Sequence, residues 1–425
     1  MIRCGLYEVD ITPALGMDMP GYFCLRQGKG ILERLSALTA LFEDARGGRV
    51  LLCTMDAISM SDAFALRVRA DIAQRLGMDA SCVLLCATHT HTGGPVETWG
   101  DFYHEDPAYL DFLARRLADA AELARQALRP VRIGYASGEE HTLAHCRNFI
   151  LPDGGFATNS HVEGQRAVSP IDPQVGVLRI DNEDGSPYGL IANYACHCDS
   201  VDGADGNQYI SSDYPGAMRA RLREIYGADF LPLYVNGFCG DLNHIDFEHG
   251  RSAEPRYYRR MGRILAAAVS QAYESAETSS EATVAGCDCR MTLPSRVPTA
   301  EELEWARTAR EEDAVTRFYA AEALRMDAEG VKPLEVTVQA LRIGDLMIYG
   351  LPGEIYVEFA LDLKARTKGR HVMTANLANG FLGYVPIRAM FRPGVYESRI
   401  CCTAQTRPEA GYDMTDRVFA LGETL

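Results

Sequence analysis

The stretch Cys86-Ala87-Thr88-His89-Thr90-His91-Thr92-Gly93-Gly94 sets two histidines one residue apart, directly after the apolar run Val83-Leu84-Leu85. Imidazole nitrogen is a good zinc ligand, and a glycine pair lets the backbone turn sharply beneath an ion. Such a pair alone suits a structural or solvated role equally well. Three further apolar runs end in residues able to bind a metal. Residues 188–196 run into His197, residues 231–235 precede Gly240, Asp241 and Asn243, and residues 346–351 precede Pro352-Gly353-Glu354. In α/β sheets chemistry gathers at the carboxyl ends of strands. Two or three histidines with one carboxylate are the ligand set of a catalytic zinc site with an open position. Such an ion lowers the pKa of water towards ~7 and polarises a carbonyl. Each residue also has a plain role: His197 between two cysteines as a core histidine, Glu354 as a cap for the helix after it, Asp241 as a turn residue. The pattern leaves open whether His89 or His91 is the first ligand.

These residues need strands to deliver them. Residues 49–55 read as a buried strand ending at Asp56. Phe64, Val68, Ile72 and Leu76 recur every four residues, one face of a helix that stops at Gly77. Asp106-Pro107 pairs an N-cap with proline at the first helical position and opens a helix to about residue 128. Residues 130–136 read as a strand, followed by a loop-rich region in which His141, His145, Arg147 and Asn148 could line a pocket. Residues 175–180 and 188–196 form a hairpin over Asn182-Glu183-Asp184-Gly185. Asp213 caps a helix carrying Met218, Leu222 and Ile225, and a further helix covers 257–273. Thr299-Ala300-Glu301-Glu302 is a capping box for a charged helix that continues, with a break, to 326. Residues 336–343 and 346–351 pair over Gly344-Asp345, with a helix at 355–367 and a strand at 372–375 after them. The expected class is α/β, mixed sheets flanked by helices, as a single domain over 1–425.

Composition excludes several functions. The formal charge is 42 − 58 = −16, against a nucleic-acid partner, which needs a basic footprint, and against anionic membrane surfaces. No run of 18 apolar residues is present, and the amino-terminal residues do not read as a secretory signal. Many of the thirteen cysteines lie in apolar runs, as expected for reduced thiols in a cytoplasmic protein. Cys287-Asp288-Cys289 and Cys401-Cys402 are spaced too tightly for zinc-ribbon knuckles.

Thr88-His89-Thr90-His91-Thr92-Gly93-Gly94, Tyr194-Ala195-Cys196-His197, Cys239-Gly240-Asp241, Pro352-Gly353-Glu354 and Gly383-Tyr384-Val385-Pro386 occur in this order after Asp10-Ile11-Thr12. The set resembles the catalytic domain of the neutral/alkaline non-lysosomal ceramidase family. The resemblance implies a mixed-sheet α/β domain holding one Zn2+ per chain and cleaving an N-acyl bond. It implies His89, His197, Glu354 and Tyr384 as zinc ligands, His91 beside the metal as an acid/base or as a support to the ligands, Arg147 as a substrate-binding arginine, and Tyr396 as a phenol near the scissile carbonyl. Asp241 is a further candidate proton acceptor, and Gly240 and Asn243 are expected to touch substrate. Asn243 stands where the family has a serine, and the family's C-terminal β-sandwich domain and secretion signal are expected to be absent. The expectation is therefore an amidohydrolase acting on a soluble N-acyl amino sugar or amino alcohol rather than membrane ceramide. The rivals are an esterase, lactonase or phosphohydrolase at the same site, and a non-catalytic ligand-binding relative. Specificity is expected in the loops near 91–104, 141–165 and 390–406; the oligomeric state is not legible.

Overall fold

Strands buried on both faces build this molecule in layers. The computed structural model describes residues 1–201, 208–250, 256–309 and 313–425. The larger sheet contains β1 (Arg3–Asp10), β2 (Ser36–Glu43), β3 (Arg49–Met55), β4 (Val83–Ala87), β5 (Arg129–Glu139), β6 (Gln174–Asn182), β7 (Pro187–Tyr194) and β8 (Leu231–Asn236). Its order is β8-β7-β6-β5-β1-β2-β3-β4. The β7/β8 and β3/β4 pairs are parallel and the rest antiparallel. The second sheet contains β9 (Val284–Pro294), β10 (Pro333–Ile343), β11 (Leu346–Gly350) and β12 (His371–Ala375), in that order, with only β11/β12 parallel.

Leu38, Ala40 and Phe42 of β2 and Leu84 and Cys86 of β4 face Leu341, Ile343, Ile348 and Met373 of the second sheet. The intervening Ala37, Leu41, Val83 and Leu85 face the helices α1 (Asp62–Leu76) and α2 (Pro107–Gln126). A period of two thus gives each strand two apolar faces. Helices α3 (Asp213–Tyr226) and α4 (Tyr257–Ser275) bury Met218, Leu222, Leu265 and Val269 against β6–β8. Helices α5 (Ala300–Thr308) and α6 (Ala314–Glu329) are inserted between β9 and β10. Helices α7 (Val357–Arg366) and α8 (Ala410–Gly422) close the outer face of the second sheet. The result is helices, sheet, sheet, helices.

The helix termini follow their residues. Ser61 accepts from the Phe64 N–H at 3.2 Å, and Gly77 ends α1 with φ 62°. Asp106 accepts from Tyr109 with Pro107 at the first position of α2, and Thr299 and Glu302 make both bonds of a capping box. The charged helix expected from Thr299 is α5 and α6, and the residues between them, 310–312, lie outside the described residues. Ser212 rather than Asp213 precedes the helix and makes no side-chain cap; Asp213, at φ 58°, accepts the Tyr214 N–H on Oδ1 at 2.6 Å and turns Oδ2 to the Ser200 and Val201 N–H groups. All thirteen cysteines are free.

The larger sheet curls until its two edges meet. Asn236, at the end of β8, donates from Nδ2 to the Thr88 carbonyl just past β4 at 3.2 Å. Beneath this seam, buried Asp56 follows β3 and accepts from Arg219 of α3 at 3.0 and 2.5 Å, from the Ser36 N–H at 2.8 Å and from the Thr88 hydroxyl at 3.3 Å. Arg219→Met would strand that carboxylate among apolar groups. The expected loss is about 3–5 kcal/mol of unfolding free energy, read by urea denaturation, with part of it recovered when Asp56→Asn is added.

Candidate metal centre

The seam delivers two histidines from β4. His89 has φ 74°, a left-handed conformation costly for a side chain with Cβ and characteristic of functional sites. The Ala57 carbonyl fixes it by accepting the His89 N–H at 2.9 Å. His91 donates its backbone N–H to Cys198 O, which ties it to the segment leaving β7 that carries His197. Glu354 follows β11 and pairs with Tyr384 in a two-residue parallel ladder, Glu354–Ile355 with Tyr384–Val385. Asn376 secures that ladder by accepting the Ile355 N–H at 3.0 Å. Gly240 is required here: a Cβ on it would lie 2.7 Å from the Glu354 carbonyl carbon.

Each imidazole turns Nδ1 to a carbonyl oxygen: His89 to Ile58 at 2.8 Å, His91 to Gly21 at 3.0 Å, His197 to Cys239 at 3.0 Å. A carbonyl only accepts, so Nδ1 carries the proton and the Nε2 lone pair points inward. There the Nε2 atoms of His89 and His197 lie 3.1 Å apart, and Glu354 Oε2 lies 3.3 and 3.2 Å from them. His91 Nε2 lies 3.3 Å from His89 Nε2 and makes no comparable contact with Glu354. Three acceptors form a nearly equilateral triangle, and Glu354 Oε2 has no hydrogen-bond donor. Zinc–nitrogen bonds of 2.0–2.1 Å put tetrahedral ligands about 3.3 Å apart, so the triangle fits one face of a metal tetrahedron. His89, His91 and His197 also form the one group of three metal-binding side chains found among the described residues.

Charge follows the packing. Burial pushes the Glu354 carboxyl up, but His89 and His197 outweigh it and hold the group well below the usual carboxylate range. Burial, then His89, pushes His91 well down; burial, then Arg147, lowers His197. His89 alone moves upward, because Glu354 overcomes its burial.

The remaining expected residues divide into two groups. Arg147 is buried at the site: Nε donates to Glu397 Oε1 at 2.6 Å, Nη2 to the Gly240 carbonyl at 2.7 Å, and Nη1 lies 3.5 Å from His197 Nε2. Its guanidinium lies over the rings of Tyr384 and Tyr396, at 5.4 and 5.8 Å. Burial pushes the phenol of Tyr396 up, so it stays protonated, a donor. The expectation that Asp241 takes a proton at the metal does not match where its carboxylate goes. Oδ1 accepts the Val357 N–H at the start of α7, and burial, then Glu358, pushes the carboxyl well up. Asp241, not Glu354, therefore serves that helix end. Gly240 acts through backbone packing, and Asn243 donates to Asp199 Oδ2 at 3.0 Å. His141 does not join the site; it is exposed and bonds Glu139. His145 pairs loosely with Asp246 at 4.0 Å.

Sequence reasoning passed over Asp199, Glu97 and Glu397. Glu97 holds the Ser59 hydroxyl at 2.5 Å and the Tyr103 phenol at 3.2 Å, close enough to His89 and Glu354 to feel their charge. Asp199 and Glu397 adjoin expected residues, and that adjacency was the available signal. Also passed over was an aromatic wall: Tyr22 packs edge-on against His91, and Phe23 packs against Trp99, Phe102, Phe318 and Tyr396. A cleft of about 820 Å³ lined by Tyr7, Tyr188 and Arg223 sits at the amino ends of β7 and β8, away from this chemistry.

Gly240→Ala is expected to displace Glu354 and weaken divalent-metal affinity by roughly 10–100-fold, the effect of disturbing a ligand's support. Calorimetric zinc titration checks this, with Gly138→Ala in β5, where a Cβ meets nothing nearer than 4.0 Å, as the control whose metal affinity stays normal.

The family model for neutral/alkaline non-lysosomal ceramidase, N-terminal, matches residues 3–229. The neutral ceramidase of Pseudomonas aeruginosa is 24% identical over 472 residues, covering 93% of this chain and 68% of that one. Neutral ceramidase B of Dictyostelium discoideum is 27% identical over 230 residues, which span 51% of this chain and 30% of that longer protein. The crystal structure of the Pseudomonas neutral ceramidase superposes with a TM-score of 0.75 at 21% identity, over 99% of this chain and 74% of that chain. The family match spans more than half of the sequence and holds His89, His91 and His197, so this chain belongs to the neutral/alkaline non-lysosomal ceramidase family.

Proposed function

We propose that this chain is a zinc-dependent hydrolase that cleaves the amide bond of a small N-acyl compound. The observation that carries this is the triangle of His89 Nε2, His197 Nε2 and Glu354 Oε2, three acceptors facing one another in a family named for amide cleavage. One zinc per chain would be held by these three, with the Tyr384 phenol as the further ligand that family resemblance implies. A metal bound there supplies Lewis-acid polarisation of a carbonyl and a lowered pKa for water.

The chain's own groups supply the rest. His91, neutral and at the edge of the triangle, takes a proton at Nε2 from the attacking water. It returns that proton to the nitrogen as the carbon–nitrogen bond breaks. The Tyr396 hydroxyl and Arg147 Nη1 donate to the oxyanion, and Glu397 and the Gly240 carbonyl keep the guanidinium from swinging away. Asp241, whose Oδ1 accepts the Val357 N–H at the start of α7, is assigned no step here. The carboxylates of Glu97 and Asp199 near the metal ligands disfavour an anionic phosphoryl substrate. With the overall charge of −16, they favour a soluble N-acyl amino alcohol or amino sugar over a lipid in an anionic bilayer.

Chelation is expected to abolish hydrolysis of N-acyl amides and stoichiometric zinc to restore it; undiminished activity in metal-free protein sinks the reading. Tyr396→Phe is expected to lower kcat by about 10²–10³-fold with zinc content unchanged by elemental analysis. Tyr384→Phe is expected to lower zinc affinity instead. A loaded enzyme that opens esters or lactones but no amide would hand the site to the esterase reading.

A further inference from the structure

Two residues past His197, Asp199 carries a carboxylate that the chemistry above does not use. His244 Nδ1 donates to its Oδ1 at 2.9 Å and Asn243 Nδ2 to its Oδ2 at 3.0 Å. Asn243 is itself pinned, since its Oδ1 accepts the Ile245 N–H at 2.9 Å and residues Leu242–Asn243 pair with His145–Cys146. The carboxylate is therefore fixed before any ligand arrives. It has about four lone-pair positions; these two donors fill two of them, and no other donor reaches it among the described residues. Its side chain keeps 16% of its surface exposed.

Asp199 lies on the His91 side of the centre. The preceding carbonyl, that of Cys198, accepts the His91 N–H at 3.1 Å. Its charge bears on His91, His197 and Tyr22, the ring packed edge-on against His91. If His91 returns a proton to the leaving nitrogen, that nitrogen must come within hydrogen-bond reach of it. Whatever the nitrogen carries a few bonds away then falls beside Asp199.

We propose that Asp199 is a specificity-determining residue whose carboxylate, held by Asn243 and His244, accepts a hydrogen bond from a hydroxyl or ammonium group on the amine half of the substrate. This rests on the amidohydrolase reading for which half is recognised. It also accounts for Asn243, whose amide side chain aims a carboxylate where a serine would offer a hydroxyl of its own. The substrates narrow to N-acyl amino alcohols, amino sugars or diamines.

Three N-substituted acetohydroxamic acids, with 3-hydroxypropyl, 3-ammoniopropyl or propyl on the nitrogen, share one metal-binding group and resist turnover as amides. Calorimetric titration of the zinc-loaded protein is expected to give at least tenfold tighter binding for a donor-bearing probe than for the propyl probe, the scale of a hydrogen bond to a charged group. Tighter hydroxypropyl binding names an amino alcohol or sugar, and tighter ammoniopropyl binding names a diamine. Asp199→Asn, which keeps the shape, is expected to erase the ammonium preference, and Asp199→Ala to bring all three probes within about twofold, with zinc content by elemental analysis unchanged. Equal binding of the three by the unmodified protein, no binding of any, or an unchanged preference in both variants overturns the assignment. Probe discrimination without hydrolysis of any amide would instead overturn the amidohydrolase reading and leave the donor site standing.

Discussion

Two imidazole lone pairs and a carboxylate oxygen within 3.3 Å of one another, with a third imidazole beside them, are an arrangement that no neutral occupant relieves. All are acceptors, because each Nδ1 proton is already committed to a backbone carbonyl. Glu354 Oε2 is buried without a donor, and leaving a buried carboxylate uncompensated costs several kcal/mol. The cluster is held open by its surroundings for a cation. A proton on His89 is the smallest that serves, and the upward push on that one residue marks where it would sit. A divalent metal satisfies every lone pair at once.

That constraint explains the curl of the larger sheet. His89 leaves one edge strand, and Cys239, whose carbonyl sets the His197 tautomer, follows the other edge strand, β8. In a flat eight-stranded sheet the two edges lie far apart, at nearly 5 Å per strand. Here they meet through the Asn236–Thr88 bond, and Asp56 with Arg219 locks the strand ends beneath. Glu354 comes from the second sheet. The centre is thus a junction of both sheets and both edges, and ligand geometry reports on the whole tertiary arrangement.

The sequence made some of this legible and hid the rest for physical reasons. His89, His197 and Glu354 follow strands with two apolar faces, and such runs are visible without knowing their neighbours. The α1, α2 and α5 termini were legible because capping is local. The strand β9 was not: Cys287, Asp288 and Cys289 are only half-buried and Arg290 is exposed, and its eleven-residue pairing with β10 supplies the order that its own pattern lacks. The strand β2 and helix α8 were missed although their apolar residues are buried. Asp241 illustrates the limit of strand-end reasoning. It stands where catalytic carboxylates stand, yet its bonding goes to a helix more than a hundred residues later.

The same limit separates bond type from substrate. The metal-binding triangle and the Arg147–Glu397 pair are made by residues whose positions leave almost no freedom: all of them are buried, and Gly240 admits no side chain beneath Glu354. The rim is different. Asn243 and His244 both hold Asp199 through their side chains, and the aromatic wall joins the four segments of Phe23, Trp99, Phe318 and Tyr396. Such groups can be exchanged without moving the strands beneath them. A shared fold at 21% identity shows the architecture and not the molecule it acts on, and substrate identity has to be read from the side chains around the centre.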